Sequence, residues 1–169
     1  MSKNLILYFS RKGNNYTNSG IKYLETGNTE KIVNYIKNFI DADIFEVKPK
    51  NDYPEDYMEC TEVAKKEQEE NARPELEEYI ENIDEYDTIY LGFPNWWGTM
   101  PMPLWTQLEK LNFEDKVIKP FVTHEGSGIG DSLKDIKKLC KGAKIEPNLS
   151  IQGSKVDDAE NNVKIWLNK

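Results

Sequence analysis

One histidine and two cysteines leave little for metal or disulfide chemistry in this chain. Cys60 and Cys140 belong to no Cys-x-x-Cys and have no histidine at ligand spacing, which excludes a structural zinc and points to reduced thiols packed in helical stretches of an intracellular protein. Long apolar runs are missing too. The first, Leu5-Ile6-Leu7-Tyr8-Phe9, is far shorter than a membrane span or a signal-peptide core, and Ser10-Arg11-Lys12 follows it instead of a cleavage site. The expected location is therefore the cytoplasm, with no membrane insertion. Positive charge is in deficit: 22 Lys and Arg stand against 30 Asp and Glu, a formal net charge of -8, which disfavours nucleic acid as a partner. With no internal repeat, low-complexity tract or break in composition, residues 1–169 read as one domain, long enough to bury a core without staples.

Strand and helix signals alternate along the chain. Leu5 to Phe9 has the continuous apolar character of a strand buried on both faces. Ile32, Val33, Ile36, Phe39 and Ile40 mark one face of a helix, with Asn28 or Thr29 as the expected N-cap. Ile44 to Val47 reads as a second strand. Asn51 to Asp87 carries 15 acidic residues against Lys65, Lys66 and Arg73 and is expected to be mostly solvated helix, with Pro74 breaking or restarting it and Ala64, Leu76, Tyr79, Ile80 and Ile83 as a thin apolar face. Thr88 to Phe93 is the third strand, and Pro101 starts a helix through Leu104, Trp105, Leu108 and Leu111. Val117 to Val122 is a fourth strand with Pro120 inside it; a helix with Leu133, Ile136 and Leu139, a short strand at Leu149 to Ile151 and a closing helix from Val156 to Leu167 complete the chain. This alternation predicts a doubly wound α/β domain with a parallel sheet covered on both sides.

In such sheets ligands bind beyond the carboxyl ends of the strands, where strand order reverses. Three loops lie there. The segment from Ser10 to Thr29 is rich in hydroxyl, amide and glycine residues and feeds a helix N-terminus, which favours a phosphate. Gly92 to Pro101 places Trp96 and Trp97 side by side after a buried strand, where neighbours point to opposite sides and one ring is free to stack on a flat ligand. Thr123 to Gly128 offers backbone N–H groups between glycines, suited to a planar polar edge. A phosphate cradle, an aromatic wall and a hydrogen-bonding edge together describe a flavin mononucleotide (FMN) pocket.

Tyr8-Phe9-Ser10, Trp96-Trp97-Gly98 and Gly126-Ser127-Gly128, with Gly27-Asn28-Thr29, Asp56-Tyr57, Ala72-Arg73-Pro74-Glu75-Leu76 and Gly153-Ser154, give the chain its resemblance to the flavodoxin family, in the branch with a Trp-Trp-Gly flavin loop. The resemblance implies a five-stranded parallel sheet in the order 2-1-3-4-5, with FMN over the switch between strands one and three. It implies that Ser10, Asn28 and Thr29 hold the phosphate, joined by Lys12 and Asn15. Pro94, Asn95, Trp96, Trp97 and Gly98 would line one side of the isoalloxazine, and Thr123, Gly126 and Ser127 the other edge. About sixteen residues separate Ser10 from Gly27, where the family has a compact loop, so this segment must fold out and back.

The function implied is that of an FMN-binding flavodoxin-like redox protein carrying electrons to and from partner proteins. The alternative is an NAD(P)H-dependent FMN or quinone reductase of the same fold; either is a monomer or a homodimer. No metal and no catalytic side chain is called for, because the flavin carries the electron chemistry. Gly98 is the place where a peptide is free to change orientation with the flavin's redox state. His124 in the third loop reads as a loop residue without a chemical role, and Trp105 and Trp166 as core.

Overall fold

The computed structural model describes residues 3–169. Its centre is a parallel sheet of β1 (Asn4–Tyr8), β4 (Asp43–Glu46), β5 (Thr88–Pro94), β6 (Val117–His124), β7 (Lys144–Ile145) and β8 (Leu149–Gln152). A hairpin of β2 (Gly13–Thr17) and β3 (Gly20–Leu24) stands apart from it. The helices are α1 (Asn28–Lys37), α2 (Tyr57–Glu69), α3 (Met102–Leu108), α4 (Ser132–Leu139) and α5 (Glu160–Leu167), the last preceded by a 3-10 turn, Gly153–Asp158.

Strand order is β4-β1-β5-β6, and the place beyond β6 is shared by two short strands. The 2-1-3-4-5 order therefore holds, but the sheet has six strands where five were expected. β7 pairs with Val117 and Ile118, β8 with Phe121 to His124, and Pro120 falls between the two registers. Glu146 N–H donates to the Ile118 carbonyl, so even-numbered residues of β6 turn their polar groups toward this seam. A proline there removes a donor that has no strand to serve.

Period-two alternation in the central strands feeds two cores. Leu5, Leu7, Ile89, Leu91, Phe93, Ile118 and Val122 pack with Leu104, Trp105, Leu108 and Ile136 on one face. Ile6, Tyr8, Tyr90 and Phe121 pack with Ile32, Val33, Ile36, Val163 and Trp166 on the other. Trp105 and Trp166 are thus core residues, as expected.

The acidic stretch departs from the helix expected of it. Only α2 is helical; residues 70–87 run irregularly across the outside of α3. Gln107 explains this: its side chain accepts from Ile80 N–H at 2.9 Å and donates to the Ile80 carbonyl at 3.0 Å, while Thr106 Oγ1 donates to the Pro74 carbonyl at 2.8 Å. Backbone groups paired in this way need no helix. Leu76 and Ile83 are buried beneath the strap, and every residue of α3 is buried as a result.

Candidate functional site

The long segment after β1 returns to its starting point. Asn18-Ser19 form the turn of the β2–β3 hairpin, and Gly20 takes φ +96, a left-handed conformation that glycine adopts without strain. At the base, a Cβ on Gly27 would lie 2.2 Å from Ser10 Oγ and 2.6 Å from the Arg11 carbonyl oxygen. Ser10-Arg11 and Gly27-Asn28-Thr29 therefore meet as one tight loop, with the hairpin projecting from it.

Gly27, and neither Asn28 nor Thr29, is the N-cap of α1. Glycine has no side-chain acceptor, and Ser10 supplies one: its Oγ accepts from Glu30 N–H at 3.1 Å. The first intrahelical bond runs from Lys31 N–H to the Gly27 carbonyl, so the amides of Asn28 and Thr29 have no acceptor within the helix. Thr29 is buried and its Oγ1 lies 2.9 Å from Thr123 Oγ1, which ties the helix to the end of β6. Lys12 is exposed beside this loop. Arg11 instead donates to the Asn14, Pro54 and Glu55 carbonyls, fastening the hairpin to the chain ahead of α2. Asn15 donates to the Arg11 and Gly13 carbonyls.

Pro94 ends β5, and Trp96 to Thr99 close a tight turn in which Trp97 has φ +56 and Gly98 φ +87. Two consecutive positive φ values are the geometry of a type I′ turn. Trp96 packs inward, edge-on to Phe9 at 5.1 Å and to Tyr53 at 5.0 Å between ring centroids. Trp97 is 51% exposed and leans on α2, not on α3: its indole N–H donates to the Thr61 carbonyl at 2.9 Å, and Lys65 Nζ lies 5.3 Å from the ring centre.

Both peptides beside Gly98 are held at each end. The Trp97 carbonyl accepts from Gln68 and Gly98 N–H donates to Asn95 Oδ1, while the Gly98 carbonyl accepts from Asp131 N–H and Thr99 N–H donates to the Trp96 carbonyl. Reversing either peptide breaks two hydrogen bonds, at a cost of about 1–3 kcal/mol. The glycine permits a reversal that its surroundings oppose.

Asn95 joins the second loop to the third. Its N–H donates to the Thr123 carbonyl, and its side-chain amide reaches the Gly128 carbonyl at 2.7 Å and Ser127 Oγ at 3.2 Å. Gly126, at φ +124, donates its N–H to His124 Nδ1 at 2.9 Å. Burial holds the His124 imidazole below its ordinary pKa, against a smaller opposing pull from Glu125. A neutral ring is what this bond requires.

A cavity of about 360 Å³ opens between the hairpin, the tryptophan turn and α2. Asn15, Asn95, Trp96 and Trp97 line it, as do Arg11, Tyr57, Met58, Cys60 and Thr61. Ser10, Lys12, Asn28, Thr29, Pro94, Gly98, Thr123, Gly126 and Ser127 are not among its walls; hydrogen bonds link Thr29 to Thr123, and Thr123 and Ser127 to Asn95. The α2 contribution was missed because its apolar pattern is thin; Asp56-Tyr57 in the resemblance was the one signal toward it. Cys60 is buried in this wall, and burial pushes its thiol pKa up, away from a reactive thiolate. Among the described residues no group of His, Cys, Asp and Glu could hold a metal ion, and no helix is long and apolar enough to cross a membrane.

The fold has counterparts among solved structures. A candidate flavoprotein from Bacteroides uniformis is 25% identical, with 99% of each chain covered and a TM-score of 0.74. A flavoprotein from Lactobacillus acidophilus in complex with FMN is 20% identical, covering 94% of this chain and 98% of that one at a TM-score of 0.63. The oxidised flavodoxin 2 of Bacillus cereus is 17% identical over 99% of each chain, at a TM-score of 0.53. No curated protein sequence matches the chain. The flavodoxin family model matches residues 20–169, nearly the whole sequence, and the chain belongs to the flavodoxin family.

Proposed function

We propose that the protein binds FMN without a covalent link and passes electrons through it. The observation that carries this reading is the rebuilt loop at Ser10 and Gly27, which opens a helix N-terminus and whose Arg11 lines an aromatic-walled cavity. The residues fit the group at both ends. Free amides of Asn28 and Thr29, the Ser10 hydroxyl and the exposed Lys12 suit a phosphate, since helix N-termini favour anions. A cavity of about 360 Å³ walled by Trp96 and Trp97 matches the size and character of pockets for flat ligands.

When bound, FMN supplies one- and two-electron chemistry that no side chain of the protein provides. The protein's part is to hold and tune it. Asn95 sets the spacing of the tryptophan turn from the Thr123–Gly128 loop, where Thr123, Gly126 and Ser127 would meet the ring's polar edge. The apolar wall and the net charge of -8 both disfavour added negative charge on the ring and lower its potential. We read the protein as an electron carrier for partner proteins, supported by its acidic surface, in preference to an NAD(P)H-dependent reductase. Purified protein mixed with NAD(P)H and a quinone tests this choice. A carrier shows almost no steady-state oxidation of the nicotinamide, whereas rapid turnover establishes the reductase.

A further inference from the structure

Ten residues line the cavity between the hairpin and the tryptophan turn, and only one of them, Arg11, is charged. The chain has 30 acidic residues against 22 basic ones, so a cation is the less expected occupant of that place. α2 supplies five of the ten lining residues and carries Glu59, Glu62, Glu67 and Glu69, yet none of these acids is among them. The other arginine, Arg73, is paired with Glu109 at 2.7 Å. Arg11 is half-buried, and its Nε and Nη2 donate to the carbonyls of Asn14, Pro54 and Glu55 at 3.1, 3.0 and 3.1 Å. It meets no carboxylate among the described residues, and Nη1 has no partner there. Carbonyls fix a guanidinium in place without neutralising it. Two wall residues register the charge: burial raises the pKa of Tyr57 and of Cys60, and in each case Arg11 is the group that pulls it back.

A pinned cation without a counter-charge, in the wall of an apolar cavity, favours negative charge in whatever occupies the cavity. The oxidised flavin ring is neutral. The reduced ring loses its N1 proton near neutral pH and then carries a negative charge, which a nearby cation stabilises. We propose that Arg11 sets the redox preference of the site, shifting binding toward the reduced, anionic ring and raising the potential against the pull of the apolar wall and the acidic surface. The inference rests on the flavin reading. Within it Arg11 acts by its charge across the cavity, and the phosphate keeps its own place at Ser10 and the N-terminus of α1.

The two-electron midpoint potential of bound FMN, set against that of free FMN, gives the ratio of the protein's affinities for the reduced and oxidised forms. Both forms carry the same phosphate, so any effect of Arg11 on the phosphate loop cancels in this ratio. Arg11→Gln keeps donors for the carbonyls and removes the charge; it is expected to lower the preference for the reduced form about tenfold, a fall of about 30 mV. Arg11→Lys keeps the charge with fewer donors and is expected to stay within about threefold of wild type. Asn14 also ties the hairpin to the Glu55 carbonyl, at 3.0 Å, and Asn14→Ala is expected to leave the preference within about twofold of wild type. Wild type supplies a test without substitution. The slope of potential against pH halves where the reduced ring loses its proton, and for bound FMN this break is expected at a lower pH than for free FMN. Tyr57 and Cys60, the titratable residues of the wall, stay protonated there because burial raises both.

Equal weakening of both forms in Arg11→Gln makes the residue an anchor for the hairpin alone and overturns the proposal. So does a preference lost as fully in Arg11→Lys as in Arg11→Gln, or a break in the wild-type slope at or above the pH of free FMN. Wild-type protein that binds neither form of FMN overturns the flavin reading itself, a result distinct from each of these.

Discussion

Replacing Gly27 by alanine tests the closure that turns an interrupted segment into a ligand loop. The native backbone there has φ -63 and ψ 154, open to any residue, so no conformational strain attends the change. The penalty is contact. The new methyl meets Ser10 Oγ at 2.2 Å and, less avoidably, the Arg11 carbonyl oxygen at 2.6 Å and carbon at 2.8 Å. Ser10 can rotate aside only by giving up the Glu30 N–H that it caps. Overpacking of this kind costs about 1–3 kcal/mol and a lost cap about 1 kcal/mol more. A total of about 2–4 kcal/mol corresponds to a fall of roughly 5–15 °C in unfolding temperature for a domain of this size. Urea unfolding of the flavin-free protein reads the cost, and FMN titration is expected to show weaker binding as the loop is forced open. Gly13→Ala is the control: its φ of +92 has nothing within 4 Å, so only the left-handed penalty of about 1–2 kcal/mol applies and FMN binding is retained. If Gly27→Ala unfolds at the wild-type urea concentration and binds FMN normally, the Ser10–Gly27 contact is not what builds the loop.

Other consequences follow from the same geometry. Trp96→Ala is expected to cost about 2–3 kcal/mol of stability through its lost contacts with Phe9 and Tyr53, and exposed Trp97→Ala under about 1 kcal/mol, with both weakening FMN unequally. Unchanged FMN affinity in both variants would remove the aromatic wall from the site. Because burial lowers the His124 pKa below its unfolded value, its contribution to stability is present above about pH 6.5 and is lost as pH falls through the folded value. The difference in unfolding free energy between wild type and His124→Gln should therefore shrink below about pH 6.5; a constant difference from pH 5 to 8 would show that folding leaves the imidazole pKa unshifted. Crystal structures of the oxidised and reduced FMN complexes are expected to show the peptides beside Gly98 unmoved, given their four hydrogen bonds. A reversed peptide in either state would show that the flavin outweighs two of them.

The parallel sheet was legible because its central strands β1 and β5 are buried on both faces and read as unbroken apolar runs, Leu5 to Phe9 above all. Of the candidate site, the turn at Trp96-Trp97-Gly98 was legible as special residues in a row, and Trp96 and Trp97 line the cavity with Asn15 and Asn95. The hairpin was not. Tyr16, Ile21 and Tyr23 are half exposed or more, so no closed apolar face announces β2 and β3. The irregular path of residues 70–87 depends on the amide of Gln107, a partner far along the chain that local pattern does not disclose. The split of the last strand place follows from Pro120 at a seam that sequence alone marks only as strain. The α2 wall of the cavity escaped for a related reason: its helix is acidic, with only Cys60 and Ala64 buried, and looks like a solvated surface.

Titration of the purified, flavin-free protein with FMN, followed by visible absorbance and flavin fluorescence, tests the central claim most directly. Binding at one FMN per chain with fluorescence quenched against the tryptophan turn is the predicted result. Fluorescence that rises in simple proportion to added FMN, with an unperturbed absorbance spectrum, would contradict it.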